Sequence, residues 1–258
     1  MAAEDLVVVH GGGVTADMYE RLVRALAGRV TVHLYNRRGR ADAGPKAPGY
    51  TVDDEIADLA AVLERTGARN VFGHSYGGLV VMRAALELDL DSVSMYDGTV
   101  NVDGLFPTAF VPRMRAAIEA GDLPLALAEM SRGNQTGGAA SRWPLWALRA
   151  MGKAFLATPI GRTMGPLLPT TIVEVEEVGA HSGPSSDYAG VTARGLFLSG
   201  AQSQPYYRPM NEALAAAMPN ARAAVVPRSS HNAPCIARPR LANLLADFLT
   251  GSPVPSPH

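Results

Sequence analysis

The stretch Asn70-Val-Phe-Gly-His-Ser-Tyr-Gly-Gly78 is the most informative part of this sequence. Its first five residues form an apolar run typical of a buried strand, and an apolar helix is predicted to follow. Between the two lies the pattern G-x-S-x-G, centred on Ser75. A serine in so sharp a strand-to-helix turn needs small residues two positions before and after it, because the chain leaves no room for side chains there. The stretch therefore predicts an exposed nucleophilic hydroxyl; the alternative is a glycine-rich turn with an idle serine.

Predicted strands and helices alternate on both sides of this turn. Apolar runs typical of strands cover residues 6–9, 30–35, 70–74, 92–96, 195–199 and 221–226. Apolar stripes of helical period cover residues 19–26, 53–66, 76–88, 209–218 and 239–249. Such alternation favours right-handed crossovers between parallel strands. We therefore expect an α/β fold with a mostly parallel sheet of about six strands and helices on both faces.

The alternation stops between residues 98 and 190. This segment contains predicted helices at 112–120, 123–130, 144–156 and 160–168, and one stretch, 171–178, that is ambiguous between helix and strand. An insertion of this size in a compact domain is usually a lid or cap over a site. We therefore predict a core of residues 1–97 and 191–251, a helical cap at 98–190, and a flexible proline-rich tail at 252–258.

The composition excludes several classes of function. The chain has 258 residues, of which 47% are hydrophobic, and a net charge of −1. These values favour a large buried core and argue against a nucleic-acid partner. The sequence has no apolar run of 18 residues, so we expect no membrane helix. It has acidic residues near its first residue, so we expect no secretory signal and a cytoplasmic protein. The single cysteine, Cys235, excludes an internal disulfide and a multi-cysteine metal site.

Two further segments carry groups that could act with Ser75. His10-Gly-Gly-Gly13 ends the first strand, and its glycines allow backbone N–H groups to approach a ligand. We expect an oxyanion hole formed by the N–H groups of Tyr76 and Gly12, with Gly13 as the alternative to Gly12. His231 follows the last strand and is the candidate general base, because it would lie on the same edge of the sheet as Ser75. The alternative is a plain surface histidine.

Taken together, these motifs resemble those of the α/β-hydrolases. The resemblance rests on His-Gly-Gly-Gly at 10–13, Asn-Arg-Arg-Gly-Arg at 36–40, Gly-His-Ser-Tyr-Gly-Gly at 73–78 and Ser-Ser-His-Asn at 229–232. It covers about residues 5–97 and 191–250, whereas the insertion matches the family's variable cap in position only. The resemblance implies a catalytic triad in the chain order nucleophile, acid, histidine.

The acid of this triad is the point at which the sequence departs from the commonest family pattern. The loop that usually carries it reads Gly200-Ala-Gln-Ser-Gln204 and contains no carboxylate. Some family members carry the acid after the strand that follows the elbow helix, which corresponds to Asp97 here. Asp97 is therefore the predicted acid. The alternatives are Asp187, or no acid partner, with Asp97 only capping the turn before Gly98.

The sequence thus predicts a serine hydrolase that cleaves an ester, lactone or thioester of a small hydrophobic substrate. Within the insertion, Trp143, Trp146 and Met151 are the candidate substrate contacts. No nucleotide fingerprint or metal cluster is visible, so no cofactor and no metal are expected. One alternative is a cofactor-free lyase, cyclase or acyltransferase that acts on a secondary metabolite at the same site. The other is a catalytically silent protein that binds a small molecule.

Overall fold

A computed structural model describes residues 3–136 and 138–251 of the chain; the predicted tail at 252–258 lies outside the described residues. Six strands form one sheet in the order β2-β1-β3-β4-β5-β6, and all neighbouring strands are parallel. The strands are β1 Glu4–Val9, β2 Val30–Leu34, β3 Asn70–His74, β4 Ser92–Tyr96, β5 Arg194–Gly200 and β6 Ala221–Val226. The predicted α/β fold with a six-stranded parallel sheet is therefore confirmed.

Helices cover both faces of this sheet. The core helices are α1 Glu20–Leu26, α2 Val52–Thr66, α3 Tyr76–Ala84, α9 Tyr207–Ala217, α10 Ala233–Ile236 and α11 Pro239–Leu249. Successive residues of a strand point to opposite faces, so Val7 and Val9 pack in the cluster that contains α2, α3 and α9, whereas Leu6 and Val8 pack with α1 and α11. Burial on both sides explains why residues 6–9 of the central strand β1 are a continuous apolar run.

The helix after the elbow is shorter than predicted. We expected it to continue to residue 88, but α3 ends at Ala84. Beyond that point the N–H groups of Leu86 and Glu87 donate to the carbonyls three residues earlier, at 3.1 Å and 3.0 Å. The Leu88 N–H still donates to the Ala84 carbonyl at 2.8 Å, so the chain continues past the end of the helix as a hydrogen-bonded turn.

Residues 98–190, between β4 and β5, are called the helical segment, and its described part contains five α-helices. They are α4 Val111–Glu119, α5 Leu123–Gly133, α6 Leu145–Leu156, α7 Pro159–Met164 and α8 Leu168–Ala180. The ambiguous stretch 171–178 lies within α8, where Ile172 packs in a small cluster with Phe110 and Met114. Packing on one side thus outweighs the β propensity of its branched residues. The exact domain boundaries and the role of this segment as a cap remain predictions.

The two ends of the helical segment lie together. An isolated parallel bridge joins Val102 to Gly183, and the Gly183 N–H donates to the Asn101 carbonyl at 3.2 Å. The chain therefore leaves and re-enters the sheet region at neighbouring points. Within the described part of the chain, none of the helices is both long and apolar enough to cross a membrane.

Candidate active site

Ser75 occupies a strained turn between β3 and α3. Its backbone angles are φ 54° and ψ −122°, values that a residue with a side chain rarely adopts. The glycines around it are required by close contact of backbones. A Cβ at Gly73 would overlap the carbonyl group of Gly77, and a Cβ at Gly77 would overlap the carbonyl oxygen of Val9. The tight packing thus supports the strained conformation that places Ser75 at the carboxyl edge of the sheet.

Asp97 lies beside His231 on the same edge. Asp97 follows β4, has φ 44° and is fully buried. Its Oδ2 atom is 3.1 Å from Nδ1 of His231, although 134 residues separate the two in sequence. The alternative acid, Asp187, is exposed and does not line the cavity that contains Ser75 and His231. Of the carboxylates considered from the sequence, Asp97 is therefore the one that the structure brings to His231.

The loop after β5 contributes hydrogen-bond donors to Asp97. The Gly200 N–H donates to Oδ1 at 3.1 Å, and the Ser203 hydroxyl donates to Oδ2 at 2.5 Å. These two donors fix the orientation of the Asp97 carboxyl group. The loop after β5, which has no carboxylate at the commonest family position of the acid, thus binds the carboxylate of Asp97. Sequence reasoning did not anticipate the contribution of Ser203, because a lone serine in a loop carries no specific signal.

Two aromatic rings flank the imidazole of His231. Tyr207 stacks almost parallel to it, with the ring centres 5.3 Å apart and the planes inclined by 13°. The ring centre of His74 is 4.8 Å away. The Tyr207 side chain is buried, and that burial raises its pKa well above the ordinary value. Tyr207 therefore stacks on His231 and lines the same cavity as Ser75.

A buried chain of hydrogen bonds links the loop of His231 to the loop after β1. Burial, reinforced by the neighbouring His231, holds the pKa of His74 well below its ordinary value, so this ring is neutral. His74 Nε2 lies 2.9 Å from the carbonyl of His231, and Nδ1 lies 2.5 Å from the Tyr19 hydroxyl. The Gly11 N–H in turn donates to that hydroxyl at 3.2 Å. The residue before Ser75 thus positions the backbone of His231.

The glycine loop after β1 is held by a buried arginine. Arg37 Nε donates to the carbonyl of His10 at 3.1 Å, and Nη2 donates to the carbonyl of Gly11 at 3.0 Å. These bonds engage the loop carbonyls. Gly12 and Gly13 line the cavity that Ser75 and Tyr76 also line. The candidate oxyanion donors are thus gathered around the serine.

His10 itself has a structural role. Its Nε2 accepts a hydrogen bond from the backbone N–H of Arg37 at 3.1 Å, and Nδ1 lies 2.9 Å from the carbonyl of Gly11. Burial, together with the charge of Arg37, holds the pKa of His10 well below its ordinary value. With both ring nitrogens engaged, His10 is not placed to act as a base.

A cavity of about 460 Å³ opens over Ser75. His231 and Tyr207 line it together with Ser75. Apolar side chains of the helical segment also line it, among them Phe106, Leu127, Met130, Leu148, Met151 and Phe155. A space of this size and lining suits a small, mostly apolar molecule. Among residues 3–136 and 138–251, no three or more His, Cys, Asp or Glu side chains are grouped so as to hold a metal ion.

Of the three predicted substrate contacts, one lines this cavity and two do not. Met151 lines it, whereas Trp143 and Trp146 lie outside and are 51% and 76% exposed. The reason is the orientation of α6. Its cavity face carries residues 148, 151, 152 and 155, which follow the helical repeat, and Trp146 is on another face. Trp143 precedes the helix.

Five charged side chains form a cluster next to the glycine loop. Glu174 Oε1 is 2.9 Å from Arg37 Nη2 and 2.8 Å from Arg40 Nη2, and Glu55 Oε1 is 2.7 Å from Arg37 Nη1 and 3.0 Å from Lys46 Nζ. Both arginines are fully buried. From the sequence, residues 36–40 contributed only to the family resemblance, and Glu174 had no recognisable signal because it lies in the ambiguous stretch.

Comparison with known proteins identifies the family of this chain. The profile described as "Alpha/beta hydrolase family" matches residues 6–243. The chain belongs to this family. An α/β hydrolase from Sphaerobacter thermophilus has a similar structure, with a TM-score of 0.77 and 25% identity over 96% of this chain and 93% of that one.

Two further solved structures share the fold at lower identity. The enol-lactonase from Burkholderia xenovorans has a TM-score of 0.68 and 22% identity, over 97% of this chain and 92% of that one. A thermophilic esterase from Thermogutta terrifontis has a TM-score of 0.68 and 17% identity, over 97% and 90%. No curated protein sequence matches this chain. The chain is therefore an α/β hydrolase by fold and family, and its membership of this family supports a hydrolase activity.

Proposed function

We propose that this α/β hydrolase is a serine hydrolase that cleaves an ester, lactone or thioester of a small hydrophobic substrate. The observation that carries the proposal is the placement of His231. Its Nδ1 lies 3.1 Å from the fully buried Asp97, and its ring shares one cavity with Ser75. Because an ionised carboxylate only accepts hydrogen bonds, Nδ1 carries the proton and Nε2 is free to act as a base.

The proposed reaction proceeds in two halves. The Ser75 hydroxyl attacks the substrate carbonyl and passes its proton to Nε2 of His231, while the N–H groups of Gly12 and Tyr76 donate to the oxyanion. The carbon–oxygen or carbon–sulfur bond then breaks, and the leaving group takes the proton from His231. Water attacks the acyl-enzyme with His231 again accepting a proton, and the carboxylic acid leaves as Ser75 is reprotonated. Gly13 is the alternative to Gly12 as a donor.

In this proposal the helical segment is a cap that selects the substrate. It supplies apolar walls to the cavity over Ser75, including Leu148, Met151 and Phe155 of α6. Apolar walls favour an alkyl or ring-bearing group over a sugar or phosphate. We therefore expect short acyl esters and small lactones to be turned over faster than charged esters of the same size.

The first experiment is labelling with a fluorophosphonate, followed by the intact mass of the protein. The wild type should gain one label, and Ser75→Ala should gain none. Ser131→Ala is the matched control, because Ser131 lines the same cavity without a place in the proposed chemistry. Label on Ser75→Ala, or none on a folded wild type, would contradict an activated Ser75. Stoichiometric labelling would also exclude a catalytically silent binding protein.

A second candidate, acyl transfer or a related lyase or cyclase reaction, follows from the apolar lining of the cavity. A dry site slows the attack of water on the acyl-enzyme and leaves it for another acceptor. The two candidates separate in a competition between water and an added alcohol. Free acid as the main product supports the hydrolase, whereas mainly transesterified product at millimolar alcohol supports the transferase.

A further inference from the structure

Glu174 brings a carboxylate from the helical segment to the edge of the candidate oxyanion hole. It lies on α8, its side chain is 1% exposed, and it lines the same cavity as Ser75. A Cβ added to Gly12 would lie 2.8 Å from Oε2 of Glu174. The absence of a side chain at Gly12 thus makes room for the Glu174 carboxylate. The carboxylate lies beside the backbone N–H that is proposed to bind the substrate carbonyl.

The two oxygens of this carboxylate differ in their partners. Oε1 is 2.9 Å from Arg37 Nη2, 2.8 Å from Arg40 Nη2 and 3.4 Å from Lys46 Nζ. Oε2 is buried and has no hydrogen-bond partner among the described residues. The ion pairs at Oε1 hold the side chain in place, so Oε2 cannot turn away to find a donor. A buried carboxylate oxygen without a donor is costly, and native proteins normally satisfy such groups.

The chemistry of Glu174 limits what could bind there. Its burial opposes ionisation, but the charges of Arg37, Arg40 and Lys46 outweigh that effect and lower the pKa of the carboxyl. The ionised group can only accept hydrogen bonds, so the ligand must donate one. Three cations and the two anions Glu55 and Glu174 leave the cluster with one net positive charge, which disfavours a cationic ligand. A neutral hydroxyl meets both conditions.

We propose that Glu174 is a specificity-determining residue, whose Oε2 accepts a hydrogen bond from a hydroxyl group on the substrate, close to the reacting carbonyl. The inference rests on the proposed function and deepens it by naming a substrate class, the hydroxy-substituted acyl esters or lactones. Among the residues that the structure describes, Thr99 is the other one that lines the cavity with a buried oxygen lacking a hydrogen-bond partner. A hydroxyl can donate or accept, so Thr99 does not impose the same requirement.

The test compares the p-nitrophenyl esters of butanoate, 2-hydroxybutanoate and 3-hydroxybutanoate. For the wild type, we expect kcat/KM to be about tenfold or more higher for at least one hydroxy ester than for butanoate, the factor expected of a hydrogen bond to a charged group. In Glu174→Gln, the arginines should retain the amide oxygen and leave the NH2 group beside Gly12, in the place of Oε2. A donor then replaces the acceptor, and the ratio of kcat/KM values should fall to about one.

Glu177→Gln is the matched control. Glu177 lies one turn further along α8, accepts a hydrogen bond from the Val52 N–H at 2.9 Å and does not line the cavity. Its substitution should leave the ratio at the wild-type value. Equal rates for all three esters with the wild type, or an unchanged ratio in Glu174→Gln, would overturn the inference while leaving the proposed function in place.

A binding measurement tests the inference without catalysis, and it can be made even if the Glu174→Gln variant does not fold. Methyl 2-hydroxybutanoate, methyl 3-hydroxybutanoate and methyl butanoate are titrated into Ser75→Ala, and the shift in melting temperature is recorded. A larger shift with a hydroxy ester supports the inference even if Glu174→Gln does not fold; equal shifts contradict it. Hydrolysis of none of the p-nitrophenyl esters by the wild type would instead contradict the proposed function.

Discussion

Replacing Asp97 with asparagine should abolish most of the activity without removing the fold. Asp97 receives hydrogen bonds from three directions, with Gly200 N at Oδ1 and both Ser203 Oγ and His231 Nδ1 at Oδ2. An asparagine can accept at only one of these two positions. If the asparagine oxygen still accepts from the Gly200 N–H, the asparagine NH2 group faces Nδ1 of His231. This favours the imidazole tautomer with its proton on Nε2, and that nitrogen can then no longer accept a proton from Ser75.

The size of this effect follows from the role proposed for the Asp97 carboxylate. In serine triads, the wrong imidazole tautomer lowers kcat by about 10⁴-fold while binding is retained. The reverse orientation of the asparagine is disfavoured, because its NH2 group would face the Gly200 N–H inside a fully buried site, at a cost of about 1–3 kcal/mol. We therefore expect the asparagine to adopt mainly the orientation that inactivates His231.

The assay is the hydrolysis of p-nitrophenyl butanoate by the wild type, Asp97→Asn and Ser203→Ala. Asp97→Asn should lose about 10³–10⁴-fold in kcat with KM within a few-fold of wild type. Ser203→Ala removes one of the donors to Oδ2 and keeps the charge, so its loss should be about tenfold. A folded Asp97→Asn protein that retains more than a tenth of the wild-type kcat would refute the assignment of Asp97 as the triad acid.

Three further predictions concern the framework of the site. Gly77→Ala should lower the free energy of unfolding, measured by denaturant titration, by more than about 3 kcal/mol, because its Cβ would overlap a backbone carbonyl. In the control Gly190→Ala the added Cβ has no atom within 4 Å, so the free energy of unfolding should change by less than about 0.5 kcal/mol. Tyr19→Phe removes the hydroxyl that bonds to His74, so we expect a loss of about 1–3 kcal/mol in stability together with a lower kcat; wild-type values of both would contradict the link to His231. His10 and His74 have lowered pKa values in the folded state, so below the ordinary histidine pKa the unfolded state binds more protons than the folded state. The free energy of unfolding should therefore decrease as pH falls below about 6.5, by up to about 1.4 kcal/mol per pH unit for each ring. A free energy of unfolding that does not change between about pH 7 and 5 would contradict their burial as neutral rings.

Local sequence patterns determined the sheet and the elbow. A strand buried on both faces is rich in apolar residues, and a serine in a strained turn needs small neighbours, so both features are visible in a few consecutive residues. Gly73 and Gly77 illustrate this point: their role depends on backbone contacts that the strand–turn–helix order itself creates. Asp97 could be inferred only with the help of the family resemblance, which implies an acid at the end of the recognisable strand that follows the elbow helix.

The orientation of α6 and the path of residues 171–178 needed the tertiary structure. Trp143 and Trp146 are the more conspicuous residues around α6, yet the face that turns toward Ser75 carries Leu148, Met151 and Phe155. A hydrophobic pattern predicts that a helix buries one face, but the neighbouring elements decide where that face points. The branched residues in 171–178 fit a strand or a helix, and packing against the helical segment decides between them.

The sequence by itself determined the α/β class, the elbow serine and the candidate histidine, since each follows from short-range steric rules and chain order. Only the tertiary structure decided which groups surround them. Ser203 meets Asp97 across 106 residues and Glu174 meets Arg40 across 134 residues, and no local pattern records either contact. The physical reason is that these electrostatic and hydrogen-bond partners lie on different elements, and their distances are set by how those elements pack.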